Sequence, residues 1–133
     1  MLDCKGAVLD GQGIVPTGVL IDSEGQRIED ITIKNCTFRN FKYNGIRIGW
    51  TTKDVLKVKQ KKGDLYQYHP QNIKIMNVKV IDSGTTGIYV DDYVDGVEIE
   101  NSVIQRSGGV GVYLEFSSRN NKLINNMISE NGF

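Results

Sequence analysis

Apolar residues recur along the chain in short alternating sets: Ile31 and Ile33, Ile73 and Ile75, and Val97 and Ile99 each flank one polar residue. Alternation with period two predicts short strands that bury one branched face. Amphipathic helical spacing is essentially absent, so an all-β fold is expected.

These sets belong to a longer period. The segments DITIKNCTFRNFKYNGIRI, NIKIMNVKVIDSGTTGIYV, GVEIENSVIQRSGGVGVYL and NKLINNMISENGF align without gaps over their central part. Anchored on Asn35, Asn77, Asn101 and Asn125, the intervals are 42, 24 and 24, and 42 is 24 plus an insertion of 18. Gly11 lies another 24 positions before Asn35 and is expected to open the same corner of a first coil. Each unit reads as three short strands. The first is followed by asparagine or glycine, which tolerate a left-handed backbone at a sharp corner. The second ends at Phe38, Val80, Ile104 or Ile128, and the third starts at Gly45, Gly87 or Gly111. Gly18 opens the third strand of the first coil only seven positions after Gly11, so that corner is expected to be three residues shorter.

A unit of this size cannot bury its own apolar face, but it can stack on copies of itself at the sheet spacing of about 4.8 Å. The pattern predicts a solenoid of about five coils of 24 residues in which Ile33, Ile75, Ile99 and Leu123 form one inward stack. It resembles the right-handed single-stranded parallel β-helix repeat of the pectate lyase-like superfamily, from about Ala7 to Phe133. That fold carries lyases, hydrolases, epimerases, tailspikes and non-catalytic surface proteins. The resemblance implies a domain over residues 1–133 that binds or processes a polysaccharide at the extracellular face or cell surface. The alternative it leaves open is a structural or adhesive segment of a fibre-like protein. Both ends of the stack are expected to be open, as in a fragment of a longer solenoid, with self-association through uncapped edges.

Residues 50–70, WTTKDVLKVKQKKGDLYQYHP, interrupt the repeat and predict a protruding hairpin, with DVLKVKQ and LYQYH as strands around Gly63. Lys53, Lys57, Lys59, Lys61 and Lys62 make it the one basic cluster, either a solvated arm or the border of a groove for an anionic polymer, with Lys57 and Lys59 as substrate contacts. His69, beside Pro70, is expected to be a loop residue.

Composition adds exclusions. Sixteen basic residues balance sixteen acidic ones, so no overall field draws nucleic acid or an anionic membrane. Apolar runs are too short for a membrane span, and the start MLDCKGAVLD is not a secretory leader. Cys4 and Cys36 lack metal-site spacing and are expected as buried free thiols, with a disulfide as the alternative.

The candidate chemistry lies in GIYVDDY, residues 87–93. With Ile88 and Val90 inward, Tyr89 and Asp91 face out and Asp92 enters the next corner. Neighbouring coils place Leu20, Arg47, Tyr89 and Tyr113 in one column, and Asp22, Gly49, Asp91 and Glu115 in the next. Aromatic surface beside hydrogen-bonding groups suits a sugar ring, so Tyr89 and Tyr113 are expected to bind substrate. The resemblance places a substrate cleft on this same sheet. It implies Arg47, Asp91 and Glu115 as candidates for catalysis, and Asp91 with Glu115 as candidates for calcium, although no cofactor is required. The paired acids that enter this strand in the polygalacturonase branch are missing here, where the segments read SGTTG, SGGVG and KYNG. Asp91 and Asp92 also suit a plain strand end.

Overall fold

The structure, a computed structural model, describes residues 1–24, 26–49 and 62–132, with side chains in the last stretch from residue 65. Its strands come in threes. The first coil holds β1 (Leu2–Asp3), β2 (Val8–Asp10) and β3 (Thr17–Asp22), and the second holds β4 (Glu29–Lys34), β5 (Thr37–Arg39) and β6 (Asn44–Gly49). Next come β7 (Gln71–Met76), β8 (Lys79–Ile81) and β9 (Thr86–Val90), then β10 (Asp95–Glu100), β11 (Val103–Gln105) and β12 (Val112–Leu114). The last two are β13 (Lys122–Ile124) and β14 (Met127–Ser129). Every third strand pairs in parallel, which gives three sheets of order β1-β4-β7-β10-β13, β2-β5-β8-β11-β14 and β3-β6-β9-β12. The chain visits each sheet once per turn, as a parallel β-helix does.

Register follows the repeat. Leu2, Ile33, Ile75, Ile99 and Leu123 meet in succession across the first sheet. Phe38, Val80, Ile104 and Ile128 do so in the second, at the centre of each short strand rather than its end. Ile46 and Ile88 continue to Val112 in the third. Between the outer rungs these side chains are fully buried, each contributing about 1.5–3 kcal/mol that no coil secures alone.

Three corner ladders carry positive φ. Asn35, Asn77, Asn101 and Asn125 form the expected one, and the Asn77 amide donates to Asn35 Oδ1 at 2.8 Å. The second runs through Asn40, Asp82, Arg106 and Glu130, and the third through Asp30, Asn72, Gly96 and Asn120. Their mixed residue types hid them from the sequence pattern. The glycines that open the third strands serve a different need. A Cβ on Gly45 would lie 2.3 Å from Val80 Cγ1, so they are spaces through which the third strand passes close to the second sheet.

Three expectations are corrected. Cys4 and Cys36 form a disulfide with Cα atoms 4.9 Å apart, not free thiols. Four residues separate Asp3 from Val8 but only two separate Lys34 from Thr37, and this longer corner sets Cys4 beneath Cys36. Nor does Gly11 match Asn35: Asp10 faces Arg39 at a separation of 29, because the corner after β2 is longer than its counterpart after β5, not shorter as expected. The Gly11 amide donates to the Arg39 carbonyl at 2.9 Å, and Gly13 donates to the Asn40 carbonyl at 2.7 Å, which places Gly11 at the second corner. The segment LYQYH is not a hairpin strand, because Lys62–Tyr68 is a 3-10 helix. Its end is held by the His69 imidazole, which donates from Nδ1 to the Leu65 carbonyl. The proposed partner strand DVLKVKQ lies outside the described residues. His69 sits in the loop after that helix, as expected, and is fully buried, against the Tyr93 ring at 5.7 Å.

Candidate functional site on the third sheet

The outward column of the third sheet reads Leu20, Arg47, Tyr89 and Tyr113, each in register with the next. The rung spacing brings flat groups face to face. Tyr89 and Tyr113 stack at 5.1 Å between centroids with 29° between planes, and the Arg47 guanidinium lies 5.1 Å from the centre of Tyr89. Arg47 stands on the rung before Tyr89 and Tyr113 on the rung after, so Tyr89 is sandwiched. This corrects the expectation that both tyrosines offer a ring face. Tyr113 is 40% exposed, whereas Tyr89 is half-buried between its two neighbours.

That hydroxyl is committed as well, since it donates to Glu115 Oε1. Burial foremost, then this bond, push the Tyr89 phenol well above the usual tyrosine range. Tyr89 is therefore a durable donor to a charged carboxylate.

Asp91 occupies the next column. The Glu115 amide donates to the Val90 carbonyl at 2.9 Å, which sets Glu115 one rung beyond Asp91. Asp91 was expected to face outward, but its carboxylate folds back over the preceding rung, where both oxygens accept from Arg47 Nη2 at 3.3 Å. Little of it remains exposed. Gly49 permits this arrangement. A Cβ there would fall 1.8 Å from Asp91 Oδ2, so any other residue would evict the carboxylate. The signal was a glycine in a column of acids, and sequence reasoning did not use it. Asp92 turns into the corner, as expected, where it accepts from the Ser117 amide at 2.8 Å.

Arg47, Tyr89, Asp91, Tyr113 and Glu115 thus form one connected patch. Its charges are internally matched: a cation against Asp91 and the Tyr89 face, and an anion against a hydroxyl. The calcium reading gains nothing from this geometry. A cation at Asp91 would share the carboxylate with a guanidinium, and among the described residues no three His, Cys, Asp or Glu side chains are grouped to hold a metal. The lysines at 53, 57, 59, 61 and 62 lie outside the described side chains, so Lys57 and Lys59 are not placed relative to the patch.

Comparison with known proteins agrees with the architecture. The model of a family described as the right handed beta helix region matches residues 17–133. No curated protein and no solved structure matches the chain.

Proposed function

The chain belongs to the right-handed β-helix family, and from that premise we propose that it is a polysaccharide-binding domain whose third sheet is the binding face. The observation that carries this reading is the exposed ring of Tyr113, stacked on a Tyr89 ring that Arg47 covers from the other side. A sugar presents its C–H face to such a ring and its hydroxyls to carboxylates beside it. Glu115, two residues from Tyr113, supplies such an acceptor in its Oε2, since only Oε1 accepts from Tyr89. Binding is favoured over turnover because the groups suited to proton transfer are already engaged: Arg47 with Asp91, and Glu115 with Tyr89. The disulfide supports an extracellular or cell-surface setting, where such bonds persist.

The test is retention on a glycan array that includes neutral and uronate polymers, with soluble product followed in parallel. Tyr113→Ala should weaken retention about tenfold, about 1.4 kcal/mol, and leave the melting curve in place. Undiminished retention in that variant would remove the third sheet as the binding face, and product release by the wild type would make the face catalytic.

A further inference from the structure

The short helix Lys62–Tyr68 belongs to the insertion, yet it is packed on the corner that leads out of the third sheet. Tyr66 meets the Tyr93 ring edge-on at 5.4 Å between centroids, and the Arg119 guanidinium lies 3.7 Å from the centre of Tyr66. Gln71 at the start of β7 donates to the Tyr66 carbonyl at 2.5 Å. These contacts fix the ring, and its hydroxyl then donates to the Ser117 carbonyl at 2.8 Å.

Ser117 lies two residues beyond Glu115. The turn between them is closed by the Ser118 amide and hydroxyl, which donate to the Glu115 carbonyl at 3.0 and 2.8 Å. Asp92 holds the same turn from the other side through the Ser117 amide. The turn is thus clamped at Ser117 on both backbone polar groups, one clamp from the solenoid and one from the insertion. Phe116, between Glu115 and Ser117, is almost wholly exposed and contributes little packing of its own. The Val90 carbonyl fixes the Glu115 amide from the strand side, and this pair of clamps fixes the turn that follows it.

We propose that Tyr66 is a positioning residue: through Ser117 it sets the turn that carries Glu115, and so couples the inserted helix to the binding face. The inference rests on the glycan-binding reading for its consequence but not for its geometry. A hydrogen bond at the far end of a two-residue lever controls where the carboxylate sits. Without it the Ser117 carbonyl loses this donor, the turn is left to the Asp92 and Ser118 bonds, and the Glu115 carboxylate shifts from the Tyr89 hydroxyl.

The experiment is Tyr66→Phe, which keeps the ring under Arg119 and deletes only the donor, with Tyr43→Phe as the control on an exposed tyrosine. In protein labelled with ¹³C at the tyrosine Cζ, the Tyr89 resonance should move toward that of an exposed phenol in Tyr66→Phe and its ionisation should fall to lower pH. Tyr43→Phe should leave both unchanged. Retention of whichever array glycan the wild type binds should drop several-fold. An unmoved Tyr89 resonance overturns the proposal, and so does a moved resonance with full retention. If the wild type retains no glycan, the binding reading fails while the Tyr89 signal still decides the lever. Gln71→Met, which removes the donor to the Tyr66 carbonyl but leaves the Tyr66 ring and hydroxyl intact, should shift the Tyr89 signal in the same direction if Tyr66→Phe does not fold. No shift there overturns the proposal equally.

Discussion

The first coil and the coils that follow it are built from the same strands and held by different forces. In β5 and β8, Phe38 and Val80 are fully buried, whereas in β2 the matching Leu9 is 37% exposed, with Val8 and Asp10 exposed around it. A middle rung is covered from both sides by like rungs, and the first is covered from one. The missing apolar burial is offset by covalent and polar ties. The disulfide joins Cys4 to Cys36, Arg39 pairs with Asp10 at 2.9 Å, and Asp3 and Asp10 accept from the amides two residues on, at 2.9 and 2.8 Å. A solenoid rung is therefore buried as far as its neighbours bury it, and in the first coil a disulfide stands beside the thinner apolar cover.

The contrast can be broken most sharply in the middle. Ile75→Asp would bury an unpaired charge between Ile33 and Ile99, and the domain should lose about 4 kcal/mol or more. A thermal melt followed by circular dichroism should show the whole structure lost, because every sheet runs through that coil. Next in size is the disulfide. Cys4→Ser with Cys36→Ser should cost about 3–4 kcal/mol on the chain-entropy account of a 32-residue separation. Hydrogen exchange should locate the loss in β1 and β2, with β7 and β10 still protected. Uniform loss of protection would mean that the first coil is not a separate unit of stability.

The smallest effect is acid titration, and it separates the regions by pH. His69 is kept neutral because burial, the dominant cause, depresses its pKa, while the nearby Asp92 and the Leu65 carbonyl oppose the shift. The unfolded or undocked state binds the proton more readily, so stability from this site is lost as pH falls below the ordinary histidine value of 6.5. Asp3 and Asp10 are held below the ordinary carboxylate value of 3.8, chiefly by the amides of Lys5 and Gln12. Their contribution is full above that value and lost as pH falls below it. Hydrogen exchange at stepped pH should therefore loosen the helix at residues 62–68 first and the first coil only in stronger acid. His69→Gln should remove the earlier step alone.

The inward stacks were legible because a solenoid repeats its environment: residues one period apart meet the same neighbours, so spacing alone assigns Ile33, Ile75 and Ile99 to one column. The outward columns followed from the same arithmetic. Arg47, Tyr89 and Tyr113 are where the repeat places them, and so is Asp92 in its corner. The arithmetic failed where the period is broken: at the lengthened first corner that pairs the cysteines, at the longer corners around β3 that displace Gly11, and in the insertion.

The sequence by itself determined which residues share a face, since that depends on strand alternation and repeat length, both of which are local and periodic. Only the tertiary structure decided what those residues do to one another. Rungs about 4.8 Å apart force Tyr89 between Arg47 and Tyr113 and deny it a free face. The space left by Gly49 draws Asp91 back to Arg47, and the folded-over helix brings Tyr66 to Ser117. Such contacts depend on the direction and reach of side chains from segments tens of residues apart, and no period in the chain encodes that.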